Sequence, residues 1–167
     1  GDSRALGVVV QPDGKVVAAG HAKTGANNDF VLVRYCPDGS LDNGINCGAL
    51  GFGVGGIVTT AMSVGEDYAF GVALQADAKL VVVGYVTPAS PDLALARYCP
   101  DGRLDDGLNC GSSGFGTGGK VTLDFARGST DVGRAVAIQP DGKILVAGDS
   151  AGDFALARFI GVAAPPP

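Results

Sequence analysis

The stretch "VVVQPDGKVVAAG", residues 8–20, places two short apolar runs on either side of Gln11-Pro12-Asp13-Gly14-Lys15. Proline presets φ at the first turn position and glycine accepts the left-handed conformation, so these five residues predict a hairpin loop. The flanking runs are rich in Val and Ala and too short for helices, so they read as strands. "VVAAG" is apolar at successive positions. Strand side chains point alternately to opposite faces, so this strand is expected to be covered on both. The stretch returns as "VALQADAKLVVVG" from Val72 and as "VAIQPDGKILVAG" from Val136, 64 residues apart each time. The second copy has Ala76-Asp77-Ala78 at its turn, which weakens the turn preference and makes that hairpin depend on its neighbours.

The repetition extends outward. "DFVLVRYCPDGSLDNGINCG" is matched by "DLALARYCPDGRLDDGLNCG" and then by a short "DFALARF", while "GFGVGGIVTTAM" is matched by "GFGTGGKVTLDF". A third strand is expected at 30–35, 93–98 and 154–159, and a fourth at 57–62 and 121–125. The fourth carries polar residues and suits an outer edge. The reading is an all-β chain of tandem four-stranded antiparallel sheets resembling propeller blades, with two full repeats and a partial third. The expected divisions are an N-terminal extension at 1–4, repeats at 5–67 and 68–131, the partial repeat at 132–161, and a Pro-rich tail at 162–167. The lack of any 3.6-residue pattern excludes a helical solenoid.

Composition narrows the partners. Of the 167 residues, 46% are hydrophobic and 17% charged, which excludes a disordered polyelectrolyte. A net charge of −5 argues against a nucleic-acid partner, which requires a surplus of Lys and Arg. No apolar run reaches the ~18 residues of a membrane helix. The abrupt start at Gly1 is expected of a processed or trimmed chain. Cys36 and Cys47, and again Cys99 and Cys110, stand eleven residues apart. With His21 the sole histidine and no C-x2-C spacing, two local disulfides are expected rather than a metal site. Disulfides imply an oxidising compartment, hence secretion to the outside or the cell surface.

The glycine run raises a nucleotide question. Gly114, Gly116 and Gly119 have dinucleotide-turn spacing, and Gly119-Lys120 resembles the end of a phosphate loop. The first unit repeats the spacing at Gly51, Gly53 and Gly56 but has Ile57 where the lysine stands. Both runs lead into a strand, whereas a nucleotide site requires a helix N-terminus. The glycines are therefore expected to be sharp turns, and no cofactor is expected.

"QPDGKVVAAG" at 11–20, "DFALARF" at 153–159, "DGSLD" at 38–42 and "FGTGGKV" at 115–121 together resemble the delta-60 repeat, a bacterial β-propeller-like family of secreted and surface proteins. The resemblance covers residues 5 to 160. It implies architecture, with no shared catalytic residues to carry over. The sequence departs from it between "SLD" and "FGTGG", where the link is lengthened and bracketed by the cysteines.

Asp38, Ser40, Asp42, Asn43 and Asn46, with Asp101, Asp105 and Asn109 in the second copy, hint at a calcium loop. Arg103 in the middle position opposes a cation, and Ala49 and Ser112 stand where a bidentate glutamate belongs, so Asx-turns are the preferred reading. Arg34, Arg97 and Arg158 recur on the third strand. They are read as buried arginines bonded to turn carbonyls and to an aspartate such as Asp13 or Asp141, in preference to a ring facing an anionic ligand. His21 has no counterpart in the later units, and no nucleophile–base set is apparent, so an enzyme is not expected. Fewer than three full blades leave two uncovered sheet faces and an open edge. The expected function is a self-associating subunit of a surface fibre or similar homo-oligomer. The alternative is a glycan- or ligand-binding module of a larger protein that uses loops such as "HAKTGANND" and "VTPASPD".

Overall fold

The computed structural model describes residues 3–48, 50–88, 90–111, 113–125 and 128–161. The tail at 162–167 and the first two residues of the expected N-terminal extension lie outside these. Among the described residues, eleven strands form three antiparallel sheets. The first sheet is β1 (Arg4–Val10), β2 (Val16–Thr24), β3 (Asn27–Tyr35) and β4 (Ile57–Thr60) in spatial order. The second is β5 (Asp67–Leu74), β6 (Leu80–Val86), β7 (Asp92–Tyr98) and β8 (Lys120–Leu123). The third has β9 (Asp131–Ile138), β10 (Ile144–Ser150) and β11 (Asp153–Phe159), and no fourth strand among the described residues.

The Gln-Pro-Asp-Gly-Lys hairpins close as their chemistry dictates. The Gly14 amide donates to the Gln11 carbonyl at 2.9 Å, and the Gln11 amide to the Lys15 carbonyl at 2.8 Å. Gly142 repeats this against Gln139. Ala78 makes the same bond to Gln75 at 3.0 Å but must hold φ at 63° to do so. The β1–β2 and β5–β6 ladders each carry a bulge, between Ala5 and Gly7 and between Ala69 and Gly71. The bulge presses the strand onto a glycine opposite. A Cβ on Gly20 or Gly84 would sit 1.8 Å from the carbonyl oxygen of Arg4 or Tyr68, so only glycine fits.

The second sheet is covered on both faces, as its consecutive apolar residues require. Leu80, Val82, Val86, Ala94, Ala96 and Tyr98 pack with Val17, Ala19, Phe30 and Leu32 of the first sheet. The intervening residues Val81, Val83, Leu93 and Leu95 pack with Ile144 and Val146 of the third. Each buried Val or Leu contributes about 1.5–3 kcal/mol. The inner strands β1, β5 and β9 lie side by side, and the packing between units concentrates there. Strands β4 and β8 sit at the far edges.

One segment departs from expectation. "HAKTGANND" is not a loop: β2 runs through His21 to Thr24 and β3 begins at Asn27, with Gly25-Ala26 as a two-residue turn. Its polar residues are held from outside the hairpin. Glu66 accepts from the Asn28 amide at 2.8 Å, and the Asn27 side chain donates to the Val64 carbonyl at 2.8 Å.

Because a non-glycine left-handed residue costs about 1–2 kcal/mol, installing the Pro-Asp-Gly turn of the other units, Ala76→Pro with Ala78→Gly, should stabilise the chain by about 1 kcal/mol. Urea denaturation followed by circular dichroism reads the shift in midpoint.

Candidate functional site

The most elaborate polar arrangement grows from the third strand of each full unit. Phe30, Leu32 and Arg34 alternate on the face of β3 turned to the second sheet. After Tyr35 the chain turns through Cys36-Pro37-Asp38-Gly39-Ser40. The Gly39 amide donates to Cys36, and the Asp38 carboxylate accepts from Ser40 at 2.9 Å. This turn folds the chain back so that the Asp42 amide donates to the Arg34 carbonyl at 3.0 Å, and it places the Asp42 carboxylate beside the Arg34 guanidinium.

Arg34 Nε donates to Asp42 Oδ2 at 2.7 Å, and Lys15 Nζ stands 3.3 Å from the same oxygen. The remaining guanidinium donors reach the Leu50 carbonyl at 3.1 Å and the Pro100 carbonyl at 2.5 Å. Pro100 belongs to the next unit, so the arginine ties two units together. The Phe52 ring covers the guanidinium, with its centroid 4.6 Å away. The second unit repeats the design: Arg97 to Asp105 at 2.7 Å, Lys79 to Asp105 at 2.9 Å, the Ser113 carbonyl at 3.1 Å, and Phe115 at 4.8 Å. Disulfides Cys36–Cys47 and Cys99–Cys110, each spanning 5.7 Å between Cα atoms, staple the loops that carry these aspartates. Closing a loop of this size stabilises by roughly 3 kcal/mol in the chain-entropy model.

Arg34 and Arg97 are thus buried and bonded to turn carbonyls, as expected, whereas Arg158 is not buried, and the carboxylate partner of the buried pair is not Asp13 or Asp141. Those two are engaged at home, accepting from the Lys15 and Lys143 amides of their own turns at 3.2 Å. The partner lies eight residues downstream, within the cysteine loop. Arg158 stands on the exposed face of β11.

The residues with calcium-loop spacing are employed within their loops. Asp38 and Asp101 accept from Ser40 and Arg103, and Asp42 and Asp105 hold the arginines. Asn43 caps Ile45 and Asn46, and Asn46 donates to the Leu41 carbonyl at 2.9 Å. Asp106 and Asn109 repeat this. Asp42 and Asp105 lie beside the cysteine sulfurs, which bond each other. The glycine runs form turns into β4 and β8. A Cβ on Gly53 or Gly116 would lie 2.2 or 2.1 Å from the carbonyl oxygen of Ile57 or Lys120.

A second carboxylate joins successive units. Asp67 accepts from the Met62 amide at 2.6 Å and the Ser63 hydroxyl at 2.6 Å, fixing the link from β4 to β5. Asp131 does the same for β9 through the Phe125 amide at 2.7 Å and Ser129 at 2.8 Å. Asp92 and Asp124 approach Asp131, forming an acidic group at this junction.

One cluster escaped the sequence reading because it is not repeated. His21 meets the Tyr68 ring edge-on at 4.6 Å, Tyr68 stacks with Tyr85 at 5.0 Å, and Tyr85 with Phe70 at 5.7 Å. Arg134 lies over Phe70 at 5.8 Å and pairs with Asp149. This ladder crosses all three units. The position holding His21 in the first unit holds Tyr85 and Asp149 in the others, so the available signal was a difference between copies.

Burial alone would raise the Asp42 carboxyl, but Arg34 and Lys15 outweigh it and hold it below the usual range. Burial would likewise raise Asp131, but hydrogen bonds from Ser150, Phe125 and Ser129 outweigh it and hold this carboxyl low as well. A depressed folded-state pKa gives stability that is present above the unfolded value of about 3.9 and lost as the pH falls through the folded value. The urea midpoint should therefore fall in the acid range below about pH 4. At neutral pH, Asp105→Asn strands the buried Arg97 charge and should cost about 3–5 kcal/mol, whereas Asp38→Asn at an exposed turn should cost far less; urea titration of the two variants compares them.

Residues 11–44, 75–107 and 139–159 match the family model described as "Domain of unknown function (DUF5122) beta-propeller". Each matched segment begins at the hairpin glutamine, and the first two run on into the cysteine loop. No curated protein matches the chain.

Proposed function

The chain belongs to the DUF5122 β-propeller family, and from that premise we propose that it is a non-enzymatic scaffold of the delta-60 repeat type that associates end to end with further copies of itself outside the cell. The observation that carries this reading is the state of the two end sheets. On the first sheet Val8 and Val10 are 65% and 67% exposed, and on the third Phe154 and Leu156 are 82% and 59% exposed. The same register positions in the second sheet, Val72 and Leu74 or Leu93 and Leu95, are buried or nearly so. Apolar sheet faces of this kind are contact surfaces.

The end faces are different surfaces, so joining them is heterologous. Such a contact closes into a ring or runs on as a filament according to the rotation between copies. The two disulfides suit an oxidising, extracellular setting. The buried charged side chains of each full unit are occupied in holding its loops and junctions, which favours a structural role over a catalytic one.

The alternative, a ligand- or glycan-binding module of a larger protein, draws support from the aromatic ladder of His21, Tyr68, Phe70 and Tyr85, which sits at positions that vary between units. On that reading a glycan array gives hits that Tyr85→Ala abolishes.

The scaffold reading predicts that light scattering behind size exclusion gives masses above one chain, rising with concentration in the micromolar range. A single-chain mass throughout that range would count against it.

A further inference from the structure

Resting on the end-to-end reading, we infer that Phe154 is the anchor of the copy-to-copy contact and that its socket is the cleft on the outer face of the first sheet of the next copy. The cleft holds about 190 Å³ and is lined by Ala5, Ala18, Gly20, Ala22, Val31 and Val33. It is a recess because these side chains are small and because Gly20 has no room for a Cβ.

The molecule contains two precedents. In the second sheet the same register positions are Ala69, Val82, Gly84, Val86, Ala94 and Ala96, and all but the glycine lie in one buried cluster with Phe30 of the first sheet. In the third sheet they include Val146, Gly148, Ala155 and Ala157. There Leu93 of the second sheet occupies the place of Phe30, in a buried cluster with Val146. Phe30, Leu93 and Phe154 are equivalent: each follows the aspartate of its third strand's "Asp-Phe" or "Asp-Leu" pair. The first two are 0% and 1% exposed; Phe154 is 82% exposed. One end of the molecule therefore presents a knob of the kind used internally, and the other end the matching hole.

The contact should not copy the internal ones along the inner strands. There Val72 packs on Gly7 so closely that a Cβ on Gly7 would lie 3.0 Å from the Val72 amide nitrogen. On Gly71 the approach is looser, for a Cβ there would lie 3.5 Å from Val136 Cγ1, an ordinary contact. The third unit has Ala135 at this position, so an approach as close as that of Val72 on Gly7 is closed to Val8 of the next copy, and the anchoring falls to Phe154.

Two variants on exposed or half-exposed strand faces test this, with circular dichroism confirming that each keeps its β fold. Phe154→Asp removes the knob and leaves the socket; Val33→Glu blocks the socket and leaves the knob. Each alone should weaken self-association at least about thirtyfold, as loss of an interface hot spot does. Mixed in equal amounts they should form a discrete dimer, joined through the one intact knob and one intact socket. If the wild-type chain does not associate, the end-to-end reading fails and this inference with it. If the wild-type chain associates and Phe154→Asp associates as tightly, the end-to-end reading stands and the anchor assignment is wrong. If both variants are monomeric yet their mixture yields no dimer, the pairing of this knob with this socket is overturned.

Discussion

A strand that is apolar at successive positions cannot be satisfied by one neighbour. It presents grease to both sides of its sheet, and a small four-stranded sheet has no helix to lay over either. The second sheet shows the solution: Val82 and Ala94 face one way, Val81 and Leu95 the other, and a sister sheet covers each side. The order of the units and the emphasis on the inner strands follow from this mutual covering. So does the exposure of residues such as Val8 and Leu156 at the two ends.

Polar chemistry is used to fix the stack. Arg34 and Arg97 are placed on the covered face by strand alternation, where an unpaired charge could not remain. A Pro-Asp-Gly turn folds the chain back to bring Asp42 and Asp105 to them, and a disulfide holds that fold-back closed. The guanidinium of Arg34 also reaches the Pro100 carbonyl of the next unit, so the group that completes one unit positions its neighbour. Asp67 and Asp131 perform the complementary task along the chain, fixing the links between units. In a stack of this kind the cysteine loops and the carboxylate links act together: the loops clamp successive sheets, and the links set the step from one to the next.

The sequence was most legible where the structure depends on local chemistry. Turn residues located the hairpins, and the strained φ of Ala78 is the departure that "QADAK" signalled. Alternation located the covered faces, and the equal cysteine spacing located the disulfides. The Arg–Asp pairing was hidden because it depends on how an irregular loop returns, which spacing alone does not fix; Asp13, the expected partner, is held by its own turn. The "HAKTGANND" segment looked like a loop because its Asn and Asp residues are poor strand formers, yet Glu66 and the Val64 carbonyl, in the link from β4 to β5, hold its Asn27 and Asn28 in the ladder. The aromatic ladder was invisible to a reading built on repetition, since His21, Tyr85 and Asp149 occupy one position with three chemistries.

Hydrogen exchange read by mass spectrometry at low and high protein concentration tests most directly whether mutual covering of sheet faces governs this molecule. The account predicts that β6 and β7 exchange slowest at every concentration, while protection of β1 to β3 and of β10 and β11 rises as the protein is concentrated. Equal protection of all three sheets, or end sheets whose exchange is indifferent to concentration, would contradict it.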